Sequence, residues 1–382
     1  MSGKKYFYYL FFMFSLYFGL LLSGDFTASA NTLATSVRIE TNKTYTDNLN
    51  KVEKVRYYQF TTNEDGKVTI NLSNLSGTKW KFSLLDQTGN TMSYEFTNYD
   101  SSATGFNSLI MGLPKGTYFI KVESYSNTLN KEYKLNVTTS PSPNYETENN
   151  DTLEKADPIE VSTTYTGLIH RSSYDKADYY SFSTSENGEV YINLSNLSGA
   201  KWKVTLLNSN GDKIDYSYTD NSSNANGFTK FGSGLPAGSY YVKIENYSNS
   251  YNKEYNFEAT FNANNYVETE PNNTLATANS IQLNYTYKGW FLQYMDSKDY
   301  YKIDITSKAT YKVNISNITG SKRKLQLYDS NGKEINYIYS DSSNNATGYT
   351  SFNQKLSKGT YYINVTHNSG DRSKPYNVIV TK

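Results

Sequence analysis

The strongest constraint on the fold is a long internal repeat. Three segments recur in the same order along the 382-residue chain, first after 122 residues and then after 121. They are "NLSNLSG" at 71–77 and 193–199 with "NISNITG" at 314–320, "LPKGTYFIKVE" at 113–123 with "LPAGSYYVKIE" at 235–245 and "LSKGTYYINVT" at 356–366, and a Tyr-Tyr pair at 57–58, 179–180 and 300–301. A period this long indicates tandem whole domains rather than a solenoid. We therefore predict three units, at residues 31–141, 142–262 and 263–382.

Within each unit, apolar and polar residues alternate with a period of two. In "EVYINLSN", Val190, Ile192 and Leu194 fall on one side of the segment and Tyr191 on the other. This alternation is typical of strands that have one face in a core and one face in water. Asn- and Gly-rich turns separate the short runs, and no stretch beyond residue 30 keeps a helical period. The pattern predicts an all-β chain in which each unit is an antiparallel β-sandwich of about eight strands.

The amino terminus has the layout of a secretory signal. Lys4 and Lys5 precede an apolar run at 6–22, and a small-x-small motif ends at Ala30. We expect a signal peptide at 1–30 and a secreted, extracellular protein, either free or associated with the cell surface. An uncleaved membrane anchor is the alternative. No later segment is apolar enough to span a membrane, so no membrane span is expected once the signal is cleaved.

Charge and cysteine content exclude some classes of function. Removing Lys4, Lys5 and Asp25 with the leader leaves equal numbers of basic and acidic residues. Nucleic-acid binding depends on excess positive charge, so no nucleic acid is expected as a partner. The chain has no cysteine, which excludes disulfides and thiolate metal sites.

Two linkers carry the same acidic cluster. "YETENNDT" spans 145–152 and "VETEPNNT" spans 267–274. Closely packed carboxylates repel one another and need compensation. Calcium binds six to eight oxygen atoms from carboxylates, amides and carbonyls, which such a segment supplies. The absence of cysteine and of a nearby pair of histidines argues against zinc. The alternative is a solvated acidic linker with no bound ion.

A second acidic feature accompanies each cluster. A D-x-x-D motif precedes the Tyr-Tyr pair in the second and third units, with Asp178 and Asp299 as its second aspartates. The first unit has Arg56 at this position and no acidic residue in the segment "FTASANT" upstream. Linker acids and D-x-x-D are thus present together or absent together. This co-occurrence favours a shared cation site in two units and none in the first.

The combined signature resembles that of a known family. "E-x-E-x-N-[DN]-T-x-x-x-A", then D-x-x-D-Y-Y and a late "L-P-x-G-x-Y-x-x-K", is similar to the bacterial pre-peptidase C-terminal (PPC) domain. That family includes the collagen-binding domains of clostridial collagenases. The resemblance covers all three units and is weakest at the start of the first. It implies three jelly-roll-like β-sandwiches, with calcium bound between each linker and its sandwich.

The resemblance also implies the ligand sets. The second-unit site would comprise Glu146, Glu148, Asn150, Asp151, Asp175 and Asp178. The third-unit site would comprise Glu268, Glu270, Asn272, Asn273, Asp296 and Asp299. Asn273 replaces the acid at Asp151, which leaves four carboxylates against five. We therefore expect weaker calcium binding in the third unit.

No catalytic motif is present, and a binding function is expected instead. The only histidines, His170 and His367, occupy non-equivalent positions, and H-E-x-x-H and G-x-S-x-G are absent. Tyrosines expected on the solvent side of strands or in the following loop are candidate ligand-binding residues: Tyr191, Tyr241, Tyr247 and Tyr251. The alternative is that tyrosine simply suits a pleated surface.

Three units in series would gain avidity on a repetitive polymer. The expected function is non-catalytic, calcium-dependent binding of an extracellular polymer, either collagen-like or polysaccharide. The alternatives are a structural component of a surface layer or matrix, or an accessory subunit of a secreted peptidase.

Overall fold

The computed structural model describes residues 32–126, 128–170, 175–248, 250–292 and 296–382. The predicted signal peptide lies outside this part of the chain. The described residues form strands and three 3₁₀ turns, with no α-helix among them. Within them, no helix is long and apolar enough to cross a membrane.

The described residues of each unit form nine strands, one more than the approximate number predicted. In the first unit the strands are β1 Val37–Arg38, β2 Thr44–Asn48, β3 Val55–Thr62, β4 Gly66–Ser73, β5 Trp80–Leu85, β6 Thr91–Phe96, β7 Phe106–Leu113, β8 Gly116–Ser124 and β9 Glu132–Pro141. In the second they are β10 Asp157–Pro158, β11 Thr164–Leu168, β12 Ala177–Thr184, β13 Gly188–Ser195, β14 Trp202–Leu207, β15 Lys213–Tyr218, β16 Phe228–Leu235, β17 Gly238–Asn246 and β18 Glu254–Ala263. In the third they are β19 Asn279–Ile281, β20 Thr286–Gly289, β21 Lys298–Ile305, β22 Ala309–Ser316, β23 Ser321–Tyr328, β24 Glu334–Tyr339, β25 Tyr349–Leu356, β26 Gly359–Gly370 and β27 Tyr376–Thr381. The 3₁₀ turns are Leu33–Thr35, Leu153–Lys155 and Leu275–Thr277.

The three units share one sheet topology, which confirms the predicted tandem β-sandwiches. In the first unit a five-stranded sheet has the order β1-β3-β8-β5-β6, and a four-stranded sheet has the order β2-β9-β4-β7. The second and third units repeat both orders with their own strands. Pairing is antiparallel except that the short first strand runs parallel to the third in each unit.

The core of each unit lies between its two sheets. Val190, Ile192 and Leu194 on β13 are fully buried, whereas Tyr191 is only half-buried, as the period-two pattern predicts. Each large aliphatic side chain buried in this way contributes about 1.5–3 kcal/mol to folding. Trp80 and Trp202 occupy equivalent core positions, and both pack against a tyrosine of the last strand of their unit.

Consecutive units touch through paired charges. At the first junction the Lys67 ammonium lies 2.6 Å from Glu254, which also accepts a hydrogen bond from the Tyr145 hydroxyl. At the second junction the acidic residue comes from the preceding unit and the basic residue from the following one. Glu189 of the second unit accepts a hydrogen bond from Lys288 of the third at 2.6 Å. These contacts position the linkers described below.

Candidate cation sites between the units

Each acidic linker is held from both sides by backbone hydrogen bonds. The Glu146 amide donates to the carbonyl of Thr166 in its own unit at 2.9 Å, and the Glu148 amide donates to the carbonyl of Gly112 in the preceding unit at 3.0 Å. At the second junction, Glu270 donates in the same way to Gly234 at 3.0 Å. The linker therefore runs as a narrow strip between two sandwiches.

This close approach depends on a glycine in the preceding unit. A Cβ atom on Gly112 would lie 1.8 Å from the carbonyl oxygen of Glu146, and one on Gly234 would lie 1.7 Å from that of Glu268. Both neighbours are backbone atoms, so a side chain at either position would displace the linker. The third unit has Lys355 at the equivalent position on β25.

The linker carboxylates converge with the D-x-x-D aspartates. Oxygen atoms of Glu146, Glu148 and Asp178 lie within 4.8 Å of one another. Glu268, Glu270 and Asp299 form the same group in the third unit. All six side chains are buried. Thus two distant parts of the sequence, predicted together to form one cation site, meet in one place in the second and third units.

The same three oxygen atoms in both clusters have no hydrogen-bond partner within the described part of the chain. In the second unit they are Glu148 Oε2, Asn150 Oδ1 and Asp178 Oδ1. In the third they are Glu270 Oε1, Asn272 Oδ1 and Asp299 Oδ1. Leaving a buried polar atom unsatisfied costs about 1–3 kcal/mol. Buried carboxylate and amide oxygens of this kind fit the donor set of calcium.

A pair of buried tyrosines donates hydrogen bonds to the carboxylates of each cluster. In the second unit the Tyr180 and Tyr255 hydroxyls lie 2.7 Å apart; Tyr180 also donates to Glu146, and Tyr255 donates to Asp178 Oδ2. Tyr301 and Tyr376 repeat this arrangement in the third unit. These contacts orient the carboxylates; Glu146 and Glu268 each accept a backbone N–H with the other oxygen, whereas Asp178 and Asp299 keep one oxygen without a hydrogen-bond partner.

Burial raises the pKa of the clustered carboxyl groups. In the second unit burial and the neighbouring Asp178 raise the pKa of Asp175 to about 11, and burial raises that of Asp178 to about 7. In the third unit burial and the neighbouring Asp296 raise the pKa of Glu268 to about 8 and that of Glu270 to about 10. Burial thus favours the protonated form of these groups, and a bound cation would favour their charged form.

The other predicted ligands lie at the edges of the clusters. Asp175 is buried and accepts the backbone N–H of His170, and Asp296 accepts that of Leu292 at 3.3 Å. Asp151 accepts the backbone N–H of Lys176 at 2.9 Å. The equivalent Asn273 directs its amide nitrogen to Asp296 Oδ1 at 2.8 Å, so its side chain serves as a donor there.

One supporting position was missed in the sequence. Asp157 accepts the backbone N–H and the hydroxyl of Thr147 at 2.7 and 2.8 Å, which fixes the turn between the two linker glutamates. Asn279 takes this role in the third unit by accepting the N–H of Thr269. The available signal was an oxygen-bearing residue seven positions after Asn150 and after Asn272.

The first unit replaces the cluster with an internal cation. The Arg56 guanidinium lies 3.1 Å from Asp47 and 3.0 Å from Glu53, and the Tyr58 hydroxyl donates to Asp47. Although burial disfavours the guanidinium charge, Asp47 and Glu53 hold the pKa of Arg56 above its ordinary value. The tyrosine pair remains, as Tyr58 and Tyr133, with hydroxyls 2.6 Å apart.

The third unit carries a buried arginine close to its cluster. Arg323 occupies the position of the core tryptophans Trp80 and Trp202 and is fully buried. Its guanidinium donates to the carbonyls of Asp371 and Lys374 and lies 5.1 Å from the Phe291 ring centroid. It also interacts electrostatically with Asp299 and Tyr376. A fixed positive charge here reduces the negative potential of the third cluster.

The four tyrosines predicted to bind a ligand lie in different environments. Tyr247 is 58% exposed and packs beside Tyr218. Tyr191 lies at the second junction with its ring parallel to that of Trp290. Tyr241 lines a shallow surface cleft, and Tyr251 packs against the core of the second unit. The structure therefore does not bring the four together into one surface.

Sequence comparisons identify the domain type. Residues 297–367 match the family model described as "Bacterial pre-peptidase C-terminal domain". The matched residues lie in the third unit. The predicted resemblance is thereby confirmed. The chain is also similar to collagenase ColT of Clostridium tetani, with 27% identity over 244 residues. That match covers 62% of this chain, which spans about a quarter (24%) of the collagenase.

Two solved structures are also similar. The PPC domain of a collagenase from Bacillus anthracis shares 20% identity at a TM-score of 0.22, covering 27% of this chain and 94% of that one. The tandem CBM51 modules of a family 98 glycoside hydrolase from Streptococcus pneumoniae share 11% identity at a TM-score of 0.19, covering 59% of this chain and 85% of theirs.

Proposed function

We propose that this chain is a secreted, non-catalytic array of PPC-type modules that binds an extracellular polymer, with calcium holding its second and third units in place. Similarity to a collagenase and to a PPC domain supports this proposal. The single observation that carries the calcium component is the pair of equivalent buried clusters, each with the same three unsatisfied oxygens.

The ligand chemistry favours calcium over other common divalent ions. Within the described parts of the chain, both clusters consist of oxygen donors, namely carboxylates and amides, without sulfur or imidazole ligands. Calcium accepts many oxygens in flexible geometries, whereas magnesium requires a tight octahedron and usually keeps several waters. Three charged carboxylates in one buried space, with further acidic residues at its edge, would repel strongly, and a divalent cation would offset that repulsion.

The proposed ligands come from two elements that the cation would join. Glu146 and Glu148 would bind it from the linker, and Asp178 would bind it from β12 of the sandwich. Because the Glu148 amide also contacts Gly112 of the preceding unit, cation binding would fix the linker against both neighbours. The expected consequence is a stiff array whose units keep a set orientation.

Calorimetry tests the cation component directly. Isothermal titration of the chelator-treated chain should show two calcium ions bound per molecule, with much weaker heats for magnesium. Differential scanning calorimetry should show higher melting temperatures in calcium than in chelator. Identical thermograms together with an absence of binding heat would refute this component.

A repeated aromatic surface supports the polymer component. On the outer face of each five-stranded sheet, two lysines lie over two aromatic rings of the adjacent strand. The pairs are Lys79–Phe96 (4.6 Å), Lys81–Tyr94 (4.5 Å), Lys201–Tyr218 (5.2 Å), Lys203–Tyr216 (5.4 Å), Lys322–Tyr339 (5.1 Å) and Lys324–Tyr337 (4.4 Å). We call this the aromatic–lysine face.

The face offers flat apolar rings and hydrogen-bond donors on all three units. Tyr125 and Tyr247 extend it in the first two units and are 60% and 58% exposed. Aromatic rings with polar neighbours are common where proteins contact ligands. Three copies on one chain would bind a repetitive polymer with avidity even if each copy binds weakly.

A pull-down on insoluble collagen, chitin and bacterial cell wall tests the polymer component. Replacing Tyr216 and Tyr218 by alanine should weaken retention severalfold, and making the equivalent changes in all three units should abolish it. Tyr266→Ala with Tyr285→Ala is a matched control, because these exposed rings stack on each other outside the face. Retention that survives the changes in all three units would exclude the aromatic–lysine face.

A further inference from the structure

We propose that the junction between the second and third units contains a pocket for a single neutral sugar ring. A cavity of about 260 Å³ lies there, close to the lower limit for small-ligand sites. Its lining comes from both units and comprises Tyr191, Asp215, Lys230, Phe231, Gly232, Trp290, Phe291, Ser373 and Pro375. This pocket is separate from the aromatic–lysine face, and its existence does not depend on the proposed calcium binding.

Aromatic rings form the rigid walls of the cavity. The Tyr191 and Trp290 rings lie almost parallel, with an interplanar angle of 12° and centroids 6.2 Å apart. Trp290 is fixed at both ends: its indole N–H donates to Gly232 at 2.9 Å, and its backbone N–H donates to Glu268 at 2.6 Å. Phe291 is almost fully buried behind them. Such walls suit the apolar face of a sugar ring.

Polar groups are placed at the floor and mouth of the cavity. Asp215 is 2% exposed, and a carboxylate can accept hydrogen bonds from more than one hydroxyl. At the mouth, Lys230 is exposed and its ammonium lies 4.2 Å from the Tyr191 ring centroid. One carboxylate and one ammonium favour a neutral ligand with donors and acceptors around its rim. A pyranose ring has that chemistry and a matching size.

The first junction lacks the same chemistry. The positions equivalent to Tyr191, Trp290, Asp215 and Lys230 are Thr69, Leu168, Ser93 and Ser108. None of these residues is aromatic or charged. At the first junction the Ser93 hydroxyl lies 3.1 Å from His170 Nδ1, so this hydroxyl already has a hydrogen-bond partner within the junction. The pocket is therefore a feature of one junction and not a general consequence of how the units dock.

Saturation-transfer-difference NMR on the full chain, with glucose, galactose and N-acetylglucosamine as separate probes, tests this assignment. We expect saturation of the ring protons of at least one sugar. Asp215→Asn and Lys230→Ala should each reduce that affinity at least about tenfold. Lys230 is exposed, so its replacement should leave folding intact even if Asp215→Asn does not.

The controls separate this pocket from the aromatic–lysine face. Tyr216→Ala with Tyr218→Ala should leave sugar binding unchanged, because these side chains project from the opposite side of β15 to Asp215. Tyr285→Ala should also have no effect. No signal with any of the three sugars, or a signal that survives both Asp215→Asn and Lys230→Ala, would overturn the assignment whatever the outcome of the polymer pull-down.

Discussion

The first and second units solve the same electrostatic problem in different ways. Both contain a buried tyrosine pair next to carboxylates, Tyr58 with Tyr133 and Tyr180 with Tyr255. In the first unit Arg56 supplies a covalently attached positive charge between its acidic neighbours. In the second unit Asp178 takes the place of that arginine, and no basic side chain is paired with the cluster among the described residues. The comparison teaches that the chain supplies a positive charge of its own in the first unit, whereas in the second unit we propose that a calcium ion takes this role.

The difference between the first and second units involves two positions that change together: Arg56 becomes Asp178, and Asp47 becomes Gly167. Where the first unit has Asp47 in "TYTD", the second has Gly167 in "TYTG" and the third has Gly289 in "TYKG". A Cβ on Gly167 would lie 2.4–2.5 Å from the hydroxyls of Tyr255 and Tyr180. In the second unit the Tyr180 hydroxyl donates to Glu146 instead. The linker glutamate thus occupies the space that Asp47 fills in the first unit.

Removal of calcium should have the largest effect, and the first unit should respond differently from the second and third. A site saturated at a thousand times its dissociation constant stabilises the folded state by about 4 kcal/mol. We expect chelator to lower the melting transitions of the second and third units and to leave that of the first unchanged. Hydrogen exchange resolved by unit measures this. Equal loss of protection in the first unit would contradict the comparison.

Replacing Arg56 by methionine should have the next largest effect. The substitution leaves Asp47 and Glu53 without their partner in a largely buried site, which costs about 3 kcal/mol. Denaturant unfolding of the first unit, followed by hydrogen exchange, measures the loss. Lys43→Met is the matched control, because its ion pair with Glu40 is exposed and should contribute less than about 1 kcal/mol. Equal effects of the two variants would show that Arg56 is not compensating buried charge.

Asp178→Asn and Asp299→Asn test the two proposed calcium sites separately. Each change removes one buried charge without changing side-chain size. We expect calcium affinity at the altered site to fall at least about tenfold, equivalent to about 1.4 kcal/mol, while the other site keeps its affinity. Titration calorimetry of each variant distinguishes the sites. An unchanged two-site isotherm would remove these aspartates from the ligand set.

Asn273→Asp should have the smallest effect and should sharpen the comparison between the second and third units. The change restores the acid present at Asp151, and we expect calcium affinity of the third site to rise severalfold. The increase should remain limited, because the buried Arg323 still opposes a second positive charge nearby. Competition titration with a calcium chelator resolves such differences. A decrease in affinity would show that the amide of Asn273, which contacts Asp296, supports the site better than a carboxylate.

Much of the fold and part of the candidate site could be predicted from the sequence. The repeat and the alternation in segments such as Val190–Leu194 define the sandwiches, because side-chain direction in a strand follows local spacing. The convergence of Glu146, Glu148 and Asp178 could be predicted because linker acids and D-x-x-D occur together in the second and third units and are both absent from the first. The short parallel pairing of β1 with β3, and its equivalents, could not, since two or three residues carry too little pattern.

The tyrosine predictions show where such reasoning loses accuracy. Alternation placed Tyr191 on the outer face of its strand, and this is its position within its own unit. The next unit then covers that face and places Trp290 beside it. The aromatic–lysine face was overlooked because its lysines and rings lie on different strands, with spacings such as Lys203 and Tyr216 that have no local period.

The sequence by itself determined the three units, their strand character and the oxygen-rich residues at the start of the second and third. These properties follow from side-chain chemistry and from spacings of a few residues. Only the tertiary structure decided which charges are compensated. Arg56 meets Asp47 across two strands, and Glu146 lies against Gly112 of the preceding sandwich. The physical reason is that burial determines the cost of a charge, and burial results from packing between segments that are distant in the chain.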